Sequence, residues 1–233
     1  MKIYPQKLYE TLDQKYGELN WWPVDKKYHE INSSDPRFEI IVGAILTQNT
    51  AWSNVEKALE NLKKHKVLDI KKINEINIKK LQNFVKPSGF YKQKAERIRY
   101  ISNFLNSNYN SNLDILFKIE KTELRNELLL LNGIGPETAD SILLYAGNLP
   151  VFVVDAYTKR LCSRLPINVN NSYDDIQSYF EKELFKFYSK KEIVKVFNKL
   201  HAQIVILAKN HCKKRPICNG CPLKKICKFG KTN

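Results

Sequence analysis

Long apolar runs are absent from this chain of 233 residues. No stretch approaches the roughly 18 apolar residues that a membrane span needs, and the N-terminus lacks the apolar core of a secretory signal peptide. These absences predict a soluble, cytoplasmic protein with no membrane partner. A chain of this length can bury enough apolar surface for one large domain or two small ones, and we expect it to act as a monomer.

Acidic residues are few relative to basic ones. The sequence has 24 Asp and Glu against 39 Lys and Arg, which gives a formal net charge of +15. Such an excess favours a polyanionic partner, nucleic acid before an anionic membrane surface. A solvated basic surface would show the same excess, so the choice of partner depends on the motifs.

Strand patterns are also scarce. Apolar residues recur at three-to-four spacing along almost the whole chain, which is typical of helices, and the sequence therefore predicts an all-α fold. Residues 151–154 are the best strand candidate, but they fit an extended lead into a helix better. The pattern predicts no helix between residues 17 and 35. Residues of the types that commonly begin helices mark several predicted starts: Asp35, Asp69, Asn77, Asn112, Thr122 and Ser172.

Two of the eight glycines form a Gly-x-Gly turn at Gly133 and Gly135. An apolar helix end leads into this turn, and Pro136 suits the first turn of the helix that follows. Both glycines are expected to adopt backbone angles that a side chain would forbid. Because the amides of such a turn point outward at a helix N-terminus, the turn is a ready site for a phosphate.

A single acid, Asp155, follows the apolar residues 151–154. Together with a phosphate-binding turn, an isolated carboxylate indicates an enzyme that works on DNA. Taken alone, Asp155 is explained better as a helix cap. The corresponding alternative function is a non-catalytic, metal-stabilised module that binds DNA.

Four of the five cysteines fall within 16 residues, with the spacing C-x5-C-x2-C-x5-C. Thiolates this close can hold a zinc ion or an iron–sulfur cluster. Zinc modules usually contain two tight cysteine pairs, whereas only one is present here, so a [4Fe–4S] cluster is favoured and zinc is the alternative. The predicted ligands are Cys212, Cys218, Cys221 and Cys227. The remaining cysteine, Cys162, is expected to be a buried residue that serves only to pack the core.

The cysteine segment is intensely basic, with no acid between residues 212 and 233. Cations on a loop that a metal holds in place are well suited to bind DNA phosphates. Such contacts position a protein on DNA without reading its sequence. The residues concerned are Lys213, Lys214, Arg215, Lys224, Lys225, Lys228 and Lys231. The histidines show no metal-ligand spacing, and His201 and His211 are expected to be packing or phosphate contacts.

Taken together, these motifs resemble the helix-hairpin-helix DNA glycosylases of the endonuclease III superfamily along nearly the whole chain. The anchors are the hairpin Leu131-Asn132-Gly133-Ile134-Gly135, Asp155, the four clustered cysteines and the segment Ile45-Leu46-Thr47-Gln48-Asn49-Thr50. The resemblance implies a two-domain endonuclease III-like fold. A six-helix barrel domain with the hairpin would span 36–149, and a discontinuous helical domain, 1–35 and 150–233, would carry the catalytic Asp155 and the cluster loop.

The same resemblance implies base excision repair of double-stranded DNA that contains a damaged base. Gln48 would be the residue inserted into the base stack, and Asp155 would be the catalytic acid. The backbone phosphate would be bound by Gly133, Ile134, Gly135, Glu137, Thr138 and Lys159.

Two positions depart from the endonuclease III pattern. Bifunctional members carry a lysine nucleophile where this chain has Glu137, and a carboxylate cannot form the Schiff base that lyase chemistry needs. A monofunctional glycosylase that leaves the abasic site uncut is therefore expected. The first two cysteines are separated by five residues rather than the typical six, which changes the loop geometry but keeps the ligand types.

Within the family, the chain looks most similar to the monofunctional methylpurine, or 3-methyladenine, subgroup. Residues 86–95 and the sequence Trp21-Trp22-Pro23 carry this likeness, and Trp52 falls where the subgroup places an aromatic. Trp21, Trp22, Pro23 and Trp52 are thus the predicted base pocket. The alternative is an endonuclease III-type glycosylase and lyase for oxidised pyrimidines, or a mismatch glycosylase.

Overall fold

The computed structural model describes residues 3–231, and within them it contains helices and no β-strand. The predicted all-α fold is confirmed. The helices are α1 (Pro5–Tyr16), α2 (Lys26–Asn32), α3 (Pro36–Leu46), α4 (Trp52–Lys64), α5 (Ile70–Glu75), α6 (Ile78–Val85), α7 (Tyr91–Tyr109), α8 (Leu113–Leu116), α9 (Lys121–Leu130), α10 (Pro136–Ser141), α11 (Ala156–Arg164), α12 (Tyr173–Leu184) and α13 (Ile193–Asn210). Short 3₁₀ turns occur at Lys86–Ser88 and Phe229–Lys231.

Most predicted helix starts carry a side chain that accepts a hydrogen bond from the first turn. Such caps satisfy amides that have no partner inside the helix. This group consists of Asp35, Asp69, Asn77, Asn112 and Ser172. The start predicted at Thr122 is wrong, because Glu120 is the cap of α9 and accepts from the amides of Thr122 and Glu123 at 2.7 and 3.1 Å.

Helix α2 was not expected from the apolar spacing. Its seven residues, Lys-Lys-Tyr-His-Glu-Ile-Asn, bury only His29, so the helix has almost no apolar stripe to detect. Asp25 caps it by accepting from the amide of Tyr28 at 3.0 Å. Buried Glu39 of α3 accepts from His29 Nε2 at 3.0 Å and from the amide of Asp25 at 3.0 Å. Tertiary hydrogen bonds therefore hold a segment that its own pattern does not specify.

The chain forms two compact units. One unit is continuous from Trp22 to Gly147, and the other joins residues up to Trp21 with those from Asn148 onward. The predicted division at residues 36 and 150 stays a prediction. Residues 1, 2, 232 and 233 of the predicted domain ends lie outside the described residues, as does the side chain of Lys231.

Each unit has its own packed core. In the continuous unit, α7 packs against α5 and α6, and α3 packs against the π-helical turn Ile142–Ala146 that follows α10. In the other unit, α13 packs against α1 and α11. Phe152, in the extended lead before α11, stacks on Phe180 of α12 with ring centroids 4.6 Å apart. No helix within residues 3–231 is long and apolar enough to cross a membrane.

Candidate catalytic and DNA-binding residues

Asp155 is the N-cap of α11 and is almost fully buried. Its Oδ1 accepts from the amide of Thr158 at 2.7 Å and from Thr158 Oγ1 at 2.8 Å. Its Oδ2 lies 3.6 Å from His201 Nε2 of α13. Burial raises the pKa of Asp155, but His201 and then Thr158 outweigh this effect and hold the pKa of the carboxyl below its ordinary value. The site therefore keeps a buried carboxylate ionised.

In the hairpin between α9 and α10, one of the two glycines lies where a side chain would be strained and would collide with a neighbour. Gly133 has φ +83°, and a Cβ at this position would lie 2.1 Å from Arg97 Nε. Gly135 is different, because it caps α10 at φ −96° and a Cβ there would meet nothing within 4 Å. The expectation of a forbidden backbone angle is thus correct for Gly133 and wrong for Gly135. An open position at a helix N-terminus leaves room for close approach by a ligand.

The other residues predicted to bind phosphate differ in their burial and in their contacts. Ile134 is buried, and its amide already donates to the carbonyl of Leu131 at 3.0 Å. Thr138 is also buried, whereas Glu137 is exposed in the first turn of α10. Lys159 belongs to α11, where its Nζ lies 5.9 Å from the ring centroid of Tyr173. Among the hairpin residues predicted to bind phosphate, Gly135 and Glu137 are therefore the exposed ones.

An ion pair beneath the hairpin holds its two helices together. Asp140 of α10 is fully buried. It accepts from Arg125 of α9 through both oxygens, at 2.7 Å to Nε and 3.0 Å to Nη2. Two parallel bonds fix orientation as well as distance. The sequence motif gave no sign of this pair.

Gln48 lies just after α3 and is bonded to the hairpin. Its Nε2 donates to the carbonyl of Gly133 at 3.0 Å and to Thr138 Oγ1 at 2.9 Å, and its Oε1 accepts from Arg97. Arg97 lies on α7, and one turn before it the fully buried Lys94 donates to the carbonyls of Leu46 and Ser88 at 2.8 and 2.6 Å. Helix α7 thus contacts both the end of α3, which leads into Gln48, and the side chain of Gln48.

The predicted base-pocket aromatics separate into two groups. Trp22 and Trp52 belong to one unit and meet edge to face with centroids 5.2 Å apart, while Trp21 belongs to the other unit, with Lys209 Nζ 5.9 Å from its ring centroid. Tyr145 was not predicted as a pocket residue, and its ring centroid lies 5.3 Å from that of Trp22. The only sign of it in the sequence was a tyrosine within an apolar run. Pro23 follows Trp22 and is half-buried.

Space for Trp22 depends on α3. A Cβ at Gly43 would lie 3.1 Å from Trp22 Nε1. Tyr145 lies on the π-helical turn Ile142–Ala146, and such turns often occur at functional sites. The three rings Trp22, Trp52 and Tyr145 form an aromatic cluster, in which Trp22 packs closely against Gly43.

All four clustered cysteines line one small cavity. Cys212 is buried, and the other three are half-buried. Burial, followed by the charges of the other three cysteines, raises the pKa of Cys221. Four thiols around a common space, in the chemistry preferred by iron–sulfur clusters, fit the implied cofactor. No group of three His, Cys, Asp or Glu side chains within residues 3–231 is arranged to hold a single metal ion.

Two arginines of α11 attach the cysteine loop, and neither was predicted to do so. Arg164 Nη1 donates to Cys212 Sγ at 3.2 Å and to the carbonyl of Lys213 at 2.7 Å. Arg160 Nε donates to the carbonyl of Cys212 at 2.7 Å. Helix α11, which Asp155 caps, therefore contacts the loop directly through these two arginines.

Cys162 lies outside this group and is buried as expected. Burial raises the pKa of its thiol to about 12. A thiol in this state is a poor nucleophile, because the thiolate is the reactive form.

Comparison with known proteins gives a consistent result. A family model described as HhH-GPD superfamily base excision DNA repair protein matches residues 42–186. A protein of Methanocaldococcus jannaschii named as a DNA repair glycosylase is 44% identical over 224 residues, covering 95% of this chain and 94% of its own length. The endonuclease III of Sulfolobus acidocaldarius is 28% identical over 196 residues, covering 82% of each.

Among solved structures, the H. pylori 3-methyladenine DNA glycosylase bound to 1,N6-ethenoadenine superposes with a TM-score of 0.74. It is 31% identical, and the alignment covers 89% of this chain and 98% of that one. The family match spans more than half of the chain. This protein belongs to the HhH-GPD superfamily of base excision DNA repair glycosylases.

Proposed function

We propose that this protein is a monofunctional DNA glycosylase that removes alkylated purines such as 3-methyladenine. It would hydrolyse the N-glycosidic bond and leave an abasic site uncut. It would act as a cytoplasmic monomer on double-stranded DNA. The observation that carries the proposal is the buried carboxylate of Asp155, kept ionised at the start of α11.

Asp155 is proposed to act through Oδ2. Its Oδ1 is already occupied by two hydrogen bonds from Thr158. As the glycosidic bond breaks, positive charge develops on the sugar, and a fixed carboxylate in a water-poor site stabilises it strongly. The same oxygen can position or deprotonate the attacking water. Asp155 would thus serve both the departure of the base and the entry of water.

The aromatic cluster of Trp22, Trp52 and Tyr145 supports the choice of alkylated purines. A purine methylated on the ring is cationic, and aromatic faces attract cations by roughly 0.5–2 kcal/mol. The cluster would supply such faces, and Trp21 and Pro23 are the remaining predicted pocket residues. A cationic base also leaves easily, so little acid catalysis on the base is required. The 31% identity to a 3-methyladenine glycosylase is consistent with this choice.

The hairpin and the Gln48 segment are proposed to bind and open the duplex. The backbone around Gly133, Gly135 and Glu137, with Lys159, would hold a phosphate. Gln48 would enter the stack in place of the flipped nucleotide, which must leave the duplex to be processed. Glu137 cannot form an imine, so the proposal includes no lyase step through this position.

Cys212, Cys218, Cys221 and Cys227 would hold a [4Fe–4S] cluster, with zinc as the alternative. The bound cluster or zinc ion would hold the basic loop in one conformation, so that Lys213, Lys214 and Arg215 can contact DNA phosphates. Visible colour separates the two cofactors, because an iron–sulfur protein is brown and a zinc protein is colourless.

A duplex panel tests the function. The lesions are 3-methyladenine, 7-methylguanine, thymine glycol, uracil and 8-oxoguanine pairs, each assayed with and without alkali. We expect alkylated purines to be released and strands to break only after alkali. Asp155→Asn should abolish release while DNA binding is retained, and Asp174→Asn, an exposed acid at the start of α12, should behave like the wild type.

Two results would contradict this function. Release by Asp155→Asn at the wild-type rate would remove Asp155 from the chemistry. Thymine glycol as the preferred substrate, with strand cutting before alkali, would instead support the endonuclease III-type alternative.

A further inference from the structure

The side-chain amide of Gln48 uses all of its polar groups in this structure. Nε2 carries two protons, and it donates to the carbonyl of Gly133 at 3.0 Å and to Thr138 Oγ1 at 2.9 Å. Oε1 accepts from Nη1 of Arg97. A side chain that three hydrogen bonds hold on the protein cannot enter a base stack while it keeps them. Insertion of Gln48 into DNA therefore requires a step that breaks these bonds.

Arg97 reaches Gln48 by passing directly against the hairpin turn. A Cβ on Gly133 would lie 2.8 Å from Cγ, 2.5 Å from Cδ and 2.1 Å from Nε of Arg97. The missing side chain of Gly133 thus leaves the space that Arg97 occupies. Lys159, the cation predicted for the hairpin phosphate, belongs to the other compact unit, whereas Arg97, Gln48 and Gly133 share one unit. The hairpin backbone therefore has an arginine against it within its own unit.

The charge of Arg97 is not neutralised by a carboxylate. Arg37 and Arg125 of the same unit each form an ion pair with an aspartate, but Arg97 forms none within residues 3–231. Its charge contributes, after burial, to the lowered pKa of Lys94, one turn earlier on α7. An arginine keeps its proton in proteins, and its partner Gln48 is neutral. The guanidinium is therefore available to an anion.

A phosphate is a stronger partner for Arg97 than the amide of Gln48. Hydrogen bonds to ionised groups are roughly twice as strong as those between neutral groups, and a guanidinium can bind two phosphate oxygens through parallel bonds. Gln48 offers a single neutral oxygen. A phosphate at the hairpin therefore draws the guanidinium away, and Gln48 loses one of the three bonds that hold it.

We propose that Arg97 is a latch that links phosphate binding by the hairpin to insertion of Gln48. Before DNA binds, Arg97 holds the Gln48 side chain against the hairpin. When a backbone phosphate occupies the hairpin, Arg97 binds that phosphate and releases Gln48. The inference rests on the hairpin and insertion roles in the proposed function. Arg97 is a positioning residue here, and Gln48 leaves the protein only where a duplex is bound.

The first test measures affinity for a duplex that carries a tetrahydrofuran abasic-site analogue, at several concentrations of monovalent salt. Each phosphate contact contributes about 0.9 to the slope of log affinity against log salt. We expect Arg97→Met to weaken binding and to make this slope shallower by about 0.9. Arg97→Gln, which can still donate to Gln48 but has no charge, should lose the same part of the slope.

Arg99→Met is the matched control for the salt slope. It removes the same charge from the same helix, but Arg99 donates to the carbonyl of Ile76 and is two residues from Arg97. Its slope should equal that of the wild type. A merely structural role of Arg97 would leave the slope of Arg97→Gln unchanged as well.

The second test is a double-mutant cycle with Gln48→Ala on the same duplex. In the wild type, Arg97 must give up Gln48 before it binds the phosphate, whereas in Gln48→Ala it has no such bond to lose. Arg97→Met should therefore weaken binding at least about threefold more in the Gln48→Ala background than in the wild-type background.

Two results would overturn the inference. A wild-type salt slope in Arg97→Met or in Arg97→Gln would remove the phosphate contact, and either neutral variant is sufficient if the other misfolds. An equal loss of affinity from Arg97→Met in the two backgrounds would remove the latch. Failure of the proposed function has a different signature, because Asp155→Asn would then still release the base, whereas neither binding test involves excision.

Discussion

The side-chain amide of Gln48 donates a hydrogen bond to the carbonyl oxygen of Gly133, 85 residues later, at 3.0 Å. The residue proposed to enter the base stack and the turn proposed to bind a phosphate therefore share a bond. Arg97 contacts both, since it donates to Gln48 Oε1 and lies against Gly133. Insertion of Gln48 must exchange these protein contacts for contacts with DNA, which links the two events energetically.

Replacement of Gly133 by alanine should destabilise the protein by about 1–3 kcal/mol, because the new Cβ would occupy a left-handed backbone position and collide with Arg97. Urea unfolding of the variant measures this change. Gly135→Ala is the matched control, because its Cβ meets open space and its φ is −96°. The control should unfold like the wild type to within about 0.5 kcal/mol, and equal stability of both variants would contradict the interpretation.

Lys94→Met should change how stability depends on pH. Burial, and then repulsion by Arg97, lowers the pKa of Lys94 to about 8, whereas an unfolded lysine keeps its proton up to about pH 10.4. Between these values the unfolded chain binds more protons than the folded one, so this group makes the folded state more stable as pH rises. Below pH 8 its contribution is constant.

The measurement is the free energy of unfolding of the wild type minus that of Lys94→Met, at pH 7, 8, 9 and 10. We expect this difference to be level up to about pH 8 and then to increase in favour of the wild type. Taking the difference removes the shared effects of tyrosines and Cys162. Exposed Lys92 provides the control through Lys92→Met, and a pH-independent difference for Lys94→Met would show that Lys94 is protonated alike in both states.

Arg164→Met should loosen the cysteine loop without unfolding the domain. The change removes the donor to Cys212 Sγ and to the carbonyls of Lys213 and Lys214. A chelator should then bleach the visible absorbance of the iron-loaded protein several-fold faster, and trypsin should cut the loop sooner, because outer contacts orient metal ligands. Arg215→Met, in the exposed part of the same loop, should match the wild type. Equal bleaching and cleavage rates for both variants would reject the role of Arg164.

Local sequence signals predicted most helix starts correctly. Asp35, Asp69 and Ser172 succeeded because a cap is formed by a side chain and amides two or three residues away. Thr122 failed because the helix begins two residues earlier, where the side chain of Glu120 accepts from the amides of Thr122 and Glu123. Helix α2 was missed because it has almost no apolar stripe and depends on the distant Glu39.

The sequence by itself determined the all-α fold, the hairpin and the family. These depend on spacing within a few residues, namely helical periodicity, a Gly-x-Gly turn before a proline, and closely spaced cysteines. Only the tertiary structure decided that His201 faces Asp155, that Gln48 is bonded to Gly133, that Arg164 binds Cys212 and that Tyr145 joins Trp22. Each of these pairs is separated by dozens of residues, and its members meet because helices pack through buried faces. Local patterns show which faces are buried, but not which side chains meet across them.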